Sequence, residues 1–184
     1  TDGYERQAVI TYAGGVLGRA GLWADSDALL KANLARSHSP YYLMSQLGGN
    51  ARQQGRNAEA LDWYAQAFDK SEGPATRLQW GAGYFGALVD LAPQDAARIE
   101  KTASQLLAEA TRDEGAFEGR SLRSLQRVGN KLMAWNADGK QAAVLRRLQV
   151  QLDGLCPKVD AADGQRAACQ ALLKPAEKKA EKSA

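Results

Sequence analysis

YYLMSQLGGNARQQGRNAEALDWYAQAFDKSEGP, residues 41–74, decides the fold. Apolar residues recur every three or four positions, the period of a helix with one buried face. Ser39 can cap a helix with Pro40 at its first position, running to about Gln54 and stopping at Gly55. A second helix is predicted over about 57–70, closed by Ser71-Glu72-Gly73-Pro74. The unit is a helical hairpin with a short turn.

The same reading extends outward. Alternating Val-, Ile- and Tyr-rich stretches are nearly absent, whereas Ala, Leu, Gln, Arg and Glu dominate. Helices are predicted over about 4–20 (ending at Gly21), 25–37 (capped by Asp25 or Ser26), 75–91, 94–112, 119–136, 139–154 and 163–173. With the two above they make nine, and the fold class is all-α. Gly14-Gly15, Gly18 and Gly48-Gly49 follow no strand and precede no Lys-Ser/Thr, so they read as close helix crossings and not as phosphate loops.

Within 41–74, Leu47-Gly48, Gly55, Ala60, Tyr64 and Ala67 have the spacing of a tetratricopeptide repeat, and the segment resembles that family at each point. Gly48 and Ala60 are small where the two helices cross, Ala67 leaves room for the next repeat, and Tyr64 fills the space between. Ala28 and Ala35 lie 32 residues before Ala60 and Ala67. Thirty-four residues beyond the Leu-Gly pair stand Gly81-Ala82, flanked by Leu78 and Phe85. The resemblance implies a right-handed α-α superhelix of about four antiparallel pairs with a short C-terminal helix, filling 1–173. Residues 174–184, rich in Lys, Glu and Ala, are expected to be a disordered tail.

Composition narrows function. The 184 residues carry 24 Lys+Arg against 21 Asp+Glu, a net +3 that is too small to argue for nucleic acid. One His and two Cys exclude most zinc sites, and His38 beside Pro40 reads as a loop residue. No apolar run is long enough to span a membrane. The start at Thr1, with no signal-peptide pattern, reads as a piece of a longer chain. Cys156 and Cys169 flank Pro157 and Asp163-Gly164, which suits a disulfide clamp; two unrelated thiols or a redox pair are the alternatives. A clamp implies a periplasmic or secreted protein, its absence a cytoplasmic one. A second resemblance rests on Asp2-Gly3-Tyr4, the helical repeats and Leu155-Cys156-Pro157. These look like the region C-terminal to the thioredoxin domain in some bacterial periplasmic thiol-disulfide proteins. That resemblance implies a Cys-x-x-Cys domain upstream of Thr1, to which the redox chemistry would belong.

Three surfaces can be singled out. In tetratricopeptide proteins the first helix of each repeat lines the concave face, where Tyr42, Ser45, Gly49, Arg52 and Gln53 stand here. Relatives that clamp a C-terminal carboxylate use Lys and Asn at such places, so Ser45 and Gly49 imply no clamp; Tyr42 and Arg52 could still hold a peptide. The 75–91 helix carries two apolar stripes, Leu78-Ala82-Phe85-Val89 and Trp80-Tyr84-Ala87-Leu91. Such a helix is usually buried between neighbours, and the alternative is a groove lined by Trp80 and Tyr84. Arg120, Arg123, Arg127, Asn130 and Lys131 share one side of the 119–136 helix, opposite Leu122, Leu125, Gly129 and Leu132. This is either a solvated face or a surface for carboxylates. No Ser-His-Asp set or carboxylate pair can be placed, and no cofactor is implied. The expectation is a non-catalytic module for a protein or peptide partner. An accessory domain of a thiol-disulfide protein and a homodimerising structural piece are the alternatives.

Overall fold

Good helix formers punctuated by Gly, Pro and Asp leave the backbone one regular choice, and the chain takes it. The computed structural model describes residues 3–174, which form nine α-helices and no strand. The fold is all-α, built of packed helix pairs. Two compact units divide the chain, Thr1–Ala92 and Pro93–Ala184. The expected charged tail lies outside the described residues apart from Lys174.

The first unit holds α1 (Gly3–Arg19), α2 (Trp23–Asn33), α3 (Pro40–Gln53), α4 (Asn57–Lys70) and α5 (Pro74–Leu91). Pro40 and Pro74 open α3 and α5, where the missing N–H costs nothing. Gly55, at φ +72°, turns the chain from α3 into α4. Leu30, Leu43 and Leu47 form a core with Ile10, Leu34 and Trp63 packed against it. The small residues of the 41–74 stretch are inside: Gly48, Ala60 and Ala67 are buried, and the Tyr64 ring lies against Gly48. Gly14 and Gly18 admit Leu30 and the Asn50 amide in the same way. Arg77 closes the α4–α5 turn, its guanidinium 4.8 Å above the Phe68 ring and donating to the Phe68 and Ser71 carbonyls.

The start of α2 corrects the reading of Asp25 or Ser26 as its cap. The helix begins at Trp23, and Ser26 is wholly buried, its hydroxyl donating to the Gly14 carbonyl (2.8 Å) and accepting from Asn50 Nδ2 (2.9 Å). Asn50 also donates to Asp27 Oδ1 at 2.9 Å. A buried hydroxyl needs its partners more than a surface helix end needs a cap. Ala28 and Ala35, matched to Ala60 and Ala67 by spacing, are both exposed, while Ser26 and Leu30 take the buried positions.

The second unit holds α6 (Ala96–Ala110), α7 (Gly119–Trp135), α8 (Ala142–Leu155) and α9 (Gln165–Ala171). Asp95 caps α6 by accepting from the Arg98 N–H at 3.1 Å. α8 starts three residues later than expected, because Asn136 and Asp138 accept from the Gln141 and Lys140 N–H groups and hold a turn. α6 and α8 share the core of Ile99, Ala103, Leu106, Leu148 and Leu152. Outside it, Arg147 grips Glu100 through two bonds of 2.6 and 2.7 Å. Cys156 and Cys169 form a disulfide with both sulfurs buried, tying the end of α8 to α9. No described helix is long and apolar enough to cross a membrane.

Candidate functional site

The first unit brings two of the singled-out aromatics together. Tyr41 and Tyr42 stand in the first turn of α3, and Trp80 in the second turn of α5. The Trp80 ring meets Tyr41 at 5.4 Å and Tyr42 edge-on at 5.2 Å, and the two tyrosines are 5.1 Å apart. Ring edges carry the positive part of the quadrupole and faces the negative part, so this packing is favourable. Tyr42 is 46% exposed and Trp80 half-buried. The cluster therefore offers ring surface already fixed by its neighbours.

Ten residues further along each helix, Arg52 pairs with Asp90 at 3.1 Å. Trp80 stands 38 positions after Tyr42, and Asp90 stands 38 after Arg52. Both ends of the face thus obey one register, four residues beyond the 34 expected from the helix starts. One turn of slip brings facing side chains level when neighbouring helices are not aligned end to end. Between the ends, about 15 Å apart along the helix axis, lie Ser45 and Gly49 on α3 and Gly83 on α5. Nothing approaches within 4 Å of where a Gly83 Cβ would be, so the floor is low and open. Under it, burial pushes the Tyr64 phenol above its ordinary pKa of 10.0, and the nearby Arg52 guanidinium draws it back only in part. The phenol stays a neutral donor at physiological pH.

The other residues are placed differently. Tyr84 is only 7% exposed and belongs to the buried side of α5, together with Leu78, Ala82, Phe85, Ala87 and Val89. It lines no open groove, because both stripes of this helix turn inward at its level. Arg120, Arg123 and Arg127 are exposed on α7, opposite the buried Leu125, Gly129 and Leu132, and Arg127 donates to Ser124 Oγ at 3.2 Å. That row lies in the second unit, the aromatic cluster in the first. His38 sits exposed in a loop, its ring stacked on Tyr4.

One feature had no signal in the sequence. The second unit contains an open cleft of about 1100 Å³ whose lining includes Asp113, Glu114, Glu118, Asp160, Lys158 and Gln165. Its carboxylates come from two loops more than forty residues apart, so no local spacing links them. Asp113 accepts from the Gly115 N–H and the Ser121 hydroxyl, and Asp160 from the Ala162 N–H. Two of the four acids thus brace loops. Gln165 Oε1 is buried without a hydrogen-bond partner among the described residues. The described residues hold no cluster of His, Cys, Asp and Glu able to bind a metal ion. No protein-family model, curated protein or solved structure matches the chain.

Proposed function

We propose that this chain is a non-catalytic, tetratricopeptide-like interaction module, and that the α3–α5 face of its first unit holds an extended segment of a partner protein. The observation that carries the reading is the Tyr41-Tyr42-Trp80 cluster, exposed at Tyr42 and packed edge to face from two helices. Preformed aromatic surface loses little side-chain freedom on binding, which is why Trp and Tyr dominate interaction hot spots. Arg52 and Asp90, each more than a third exposed, supply polar specificity at the far end. The small residues between them let a backbone lie close.

The test is selection of a displayed peptide library on the wild-type chain, followed by anisotropy with the enriched peptides. Tyr42→Ala should weaken their binding at least about tenfold, and Arg123→Ala should leave it unchanged. Failure to enrich any peptide, or equal binding to Tyr42→Ala, refutes the assignment.

The disulfide favours an oxidising compartment, so we place the protein in the periplasm or outside the cell. Both cysteines of the chain are buried in that bond, which leaves no thiol here for exchange chemistry. The second reading, an accessory domain of a thioredoxin-family protein, draws its support from this. In it the redox pair sits in another domain and this region positions partners. A parent gene encoding no Cys-x-x-Cys domain would remove it.

A further inference from the structure

α1 turns Gly14 and Gly18 fully inward and half-buries Ile10 and Leu17, whereas four of its large side chains face water: Tyr4 is 76% exposed, Val9 62%, Tyr12 72% and Val16 40%. Of the seven large hydrophobics exposed among the described residues, four are on this one helix. Single exposed hydrophobics are ordinary, but Val9, Tyr12 and Val16 within about 60° of one helix circumference make a row, which is not.

The row has charges at its two ends. At 100° per residue, Glu5, Ala8, Tyr12, Val16 and Arg19 fall within about 80° of the helix circumference. Glu5 is in the first turn and Arg19 in the last, about 21 Å apart. Neither forms an ion pair among the described residues, and the Arg19 guanidinium lies back along the row over Gly15, its Nη1 3.3 Å from where a Gly15 Cβ would be. Such a surface is complementary to itself. An antiparallel copy turned about Tyr12 sets Glu5 against Arg19 and Ala8 against Val16. Parallel pairing would instead bring Glu5 to Glu5 and Arg19 to Arg19.

We propose that the outward face of α1 is a two-fold self-association surface whose occupant is α1 of a second copy, antiparallel and centred on Tyr12. This isologous arrangement is the commonest in homodimers. A helix about 25 Å long offers less area than a standard stable interface, so the dimer is weak and forms with rising concentration. The surface is separate from the α3–α5 face, so the two readings stand or fall independently.

Sedimentation velocity of the full chain from about 10 μM to about 1 mM reads the outcome. The wild type should move from one chain's mass towards two. Tyr12→Lys, at an exposed position, should hold it monomeric with its circular dichroism unchanged. Glu5→Arg or Arg19→Glu alone should weaken the dimer by about tenfold, because two attractive pairs per dimer become repulsive. The double variant Glu5→Arg/Arg19→Glu should recover it. A wild type monomeric throughout, a dimer indifferent to Tyr12→Lys, or no recovery in the double variant would each overturn the proposal.

Discussion

Gly48 and Gly49 are neighbours in the middle of α3, and adding a methyl group should have opposite effects at the two. In a helix interior Ala is favoured over Gly by about 1 kcal/mol, because glycine loses more backbone freedom on folding. At Gly49 a Cβ would meet nothing closer than the Tyr64 hydroxyl at 3.9 Å, an ordinary contact. Gly49→Ala should therefore realise most of that gain. At Gly48 the Cβ would lie 2.9 Å from one ring carbon of Tyr64 and 3.1 Å from two more. The ring is rigid, and it lies between α4 and the crossing it fills, so it must swing as a whole. Overpacking of this kind costs about 1–3 kcal/mol, which exceeds the propensity gain. The expected result is Gly49→Ala more stable than wild type by about 0.5–1 kcal/mol and Gly48→Ala less stable by about 1 kcal/mol. Urea unfolding followed by far-UV circular dichroism measures both. If Gly48→Ala is stabilised as much as Gly49→Ala, the hairpin does not close on residue 48, and the tight crossing inferred from the sequence is wrong.

Two further outcomes follow from the second unit. Replacing Cys156 and Cys169 together by Ala should lower its stability by about 3 kcal/mol, the effect expected for a loop of this length, and the unreduced denatured wild type should show no reactive thiol. Arg147→Gln should destabilise at pH 7, and its deficit against wild type should shrink in acid. The hydrogen bonds from Arg147, more than its charge, hold the Glu100 carboxyl below its ordinary value of 4.5. A lowered folded-state pKa adds stability that is complete above 4.5 and is lost as the pH falls through the lowered value. Urea midpoints at pH 7 and pH 3 test the sign, and a deficit that grows in acid would contradict it.

The helices were legible because their signals are local. Pro40 and Pro74 stand at first positions, Gly55 at a left-handed turn, and Asn57–Lys70 runs between the residues where the pattern begins and ends. Gly48, Ala60 and Ala67 were legible as buried positions because only a close neighbour rewards small side chains at those intervals. Where the reading failed, a distant partner decided. Ser26 resembles a cap until Gly14 and Asn50 are placed beside it. Ala28 and Ala35 have the right spacing but point outward, since on α2 the inward positions belong to Ser26 and Leu30. Tyr84 could not be told from Trp80 by periodicity, because both lie on the same apolar stripe. Only the depth of each position in the unit separates a buried ring from an anchoring one.

The candidate site shows what spacing lacks. Tyr42 and Arg52 stand on α3 and Trp80 on α5, and spacing alone does not say which residues of the two helices meet. The register that joins them is the 38 positions separating Tyr42 from Trp80 and Arg52 from Asp90, four more than the helix starts predict. Those four residues are one helical turn, so the same side of each helix is presented and only the level changes. Counted by their buried residues, α3 and α5 therefore keep the 34-residue interval, at Gly48 and Ala82. Counted by their exposed face, the two helices shift by a turn. Folding depends on the first count, and in the proposed reading partner recognition would depend on the second. Substitutions that preserve every core position can thus still dismantle the proposed binding face, which is why Tyr42→Ala, at a 46% exposed site, is expected to cost affinity, with a stability loss limited to about 1 kcal/mol from its contacts with Tyr41 and Trp80.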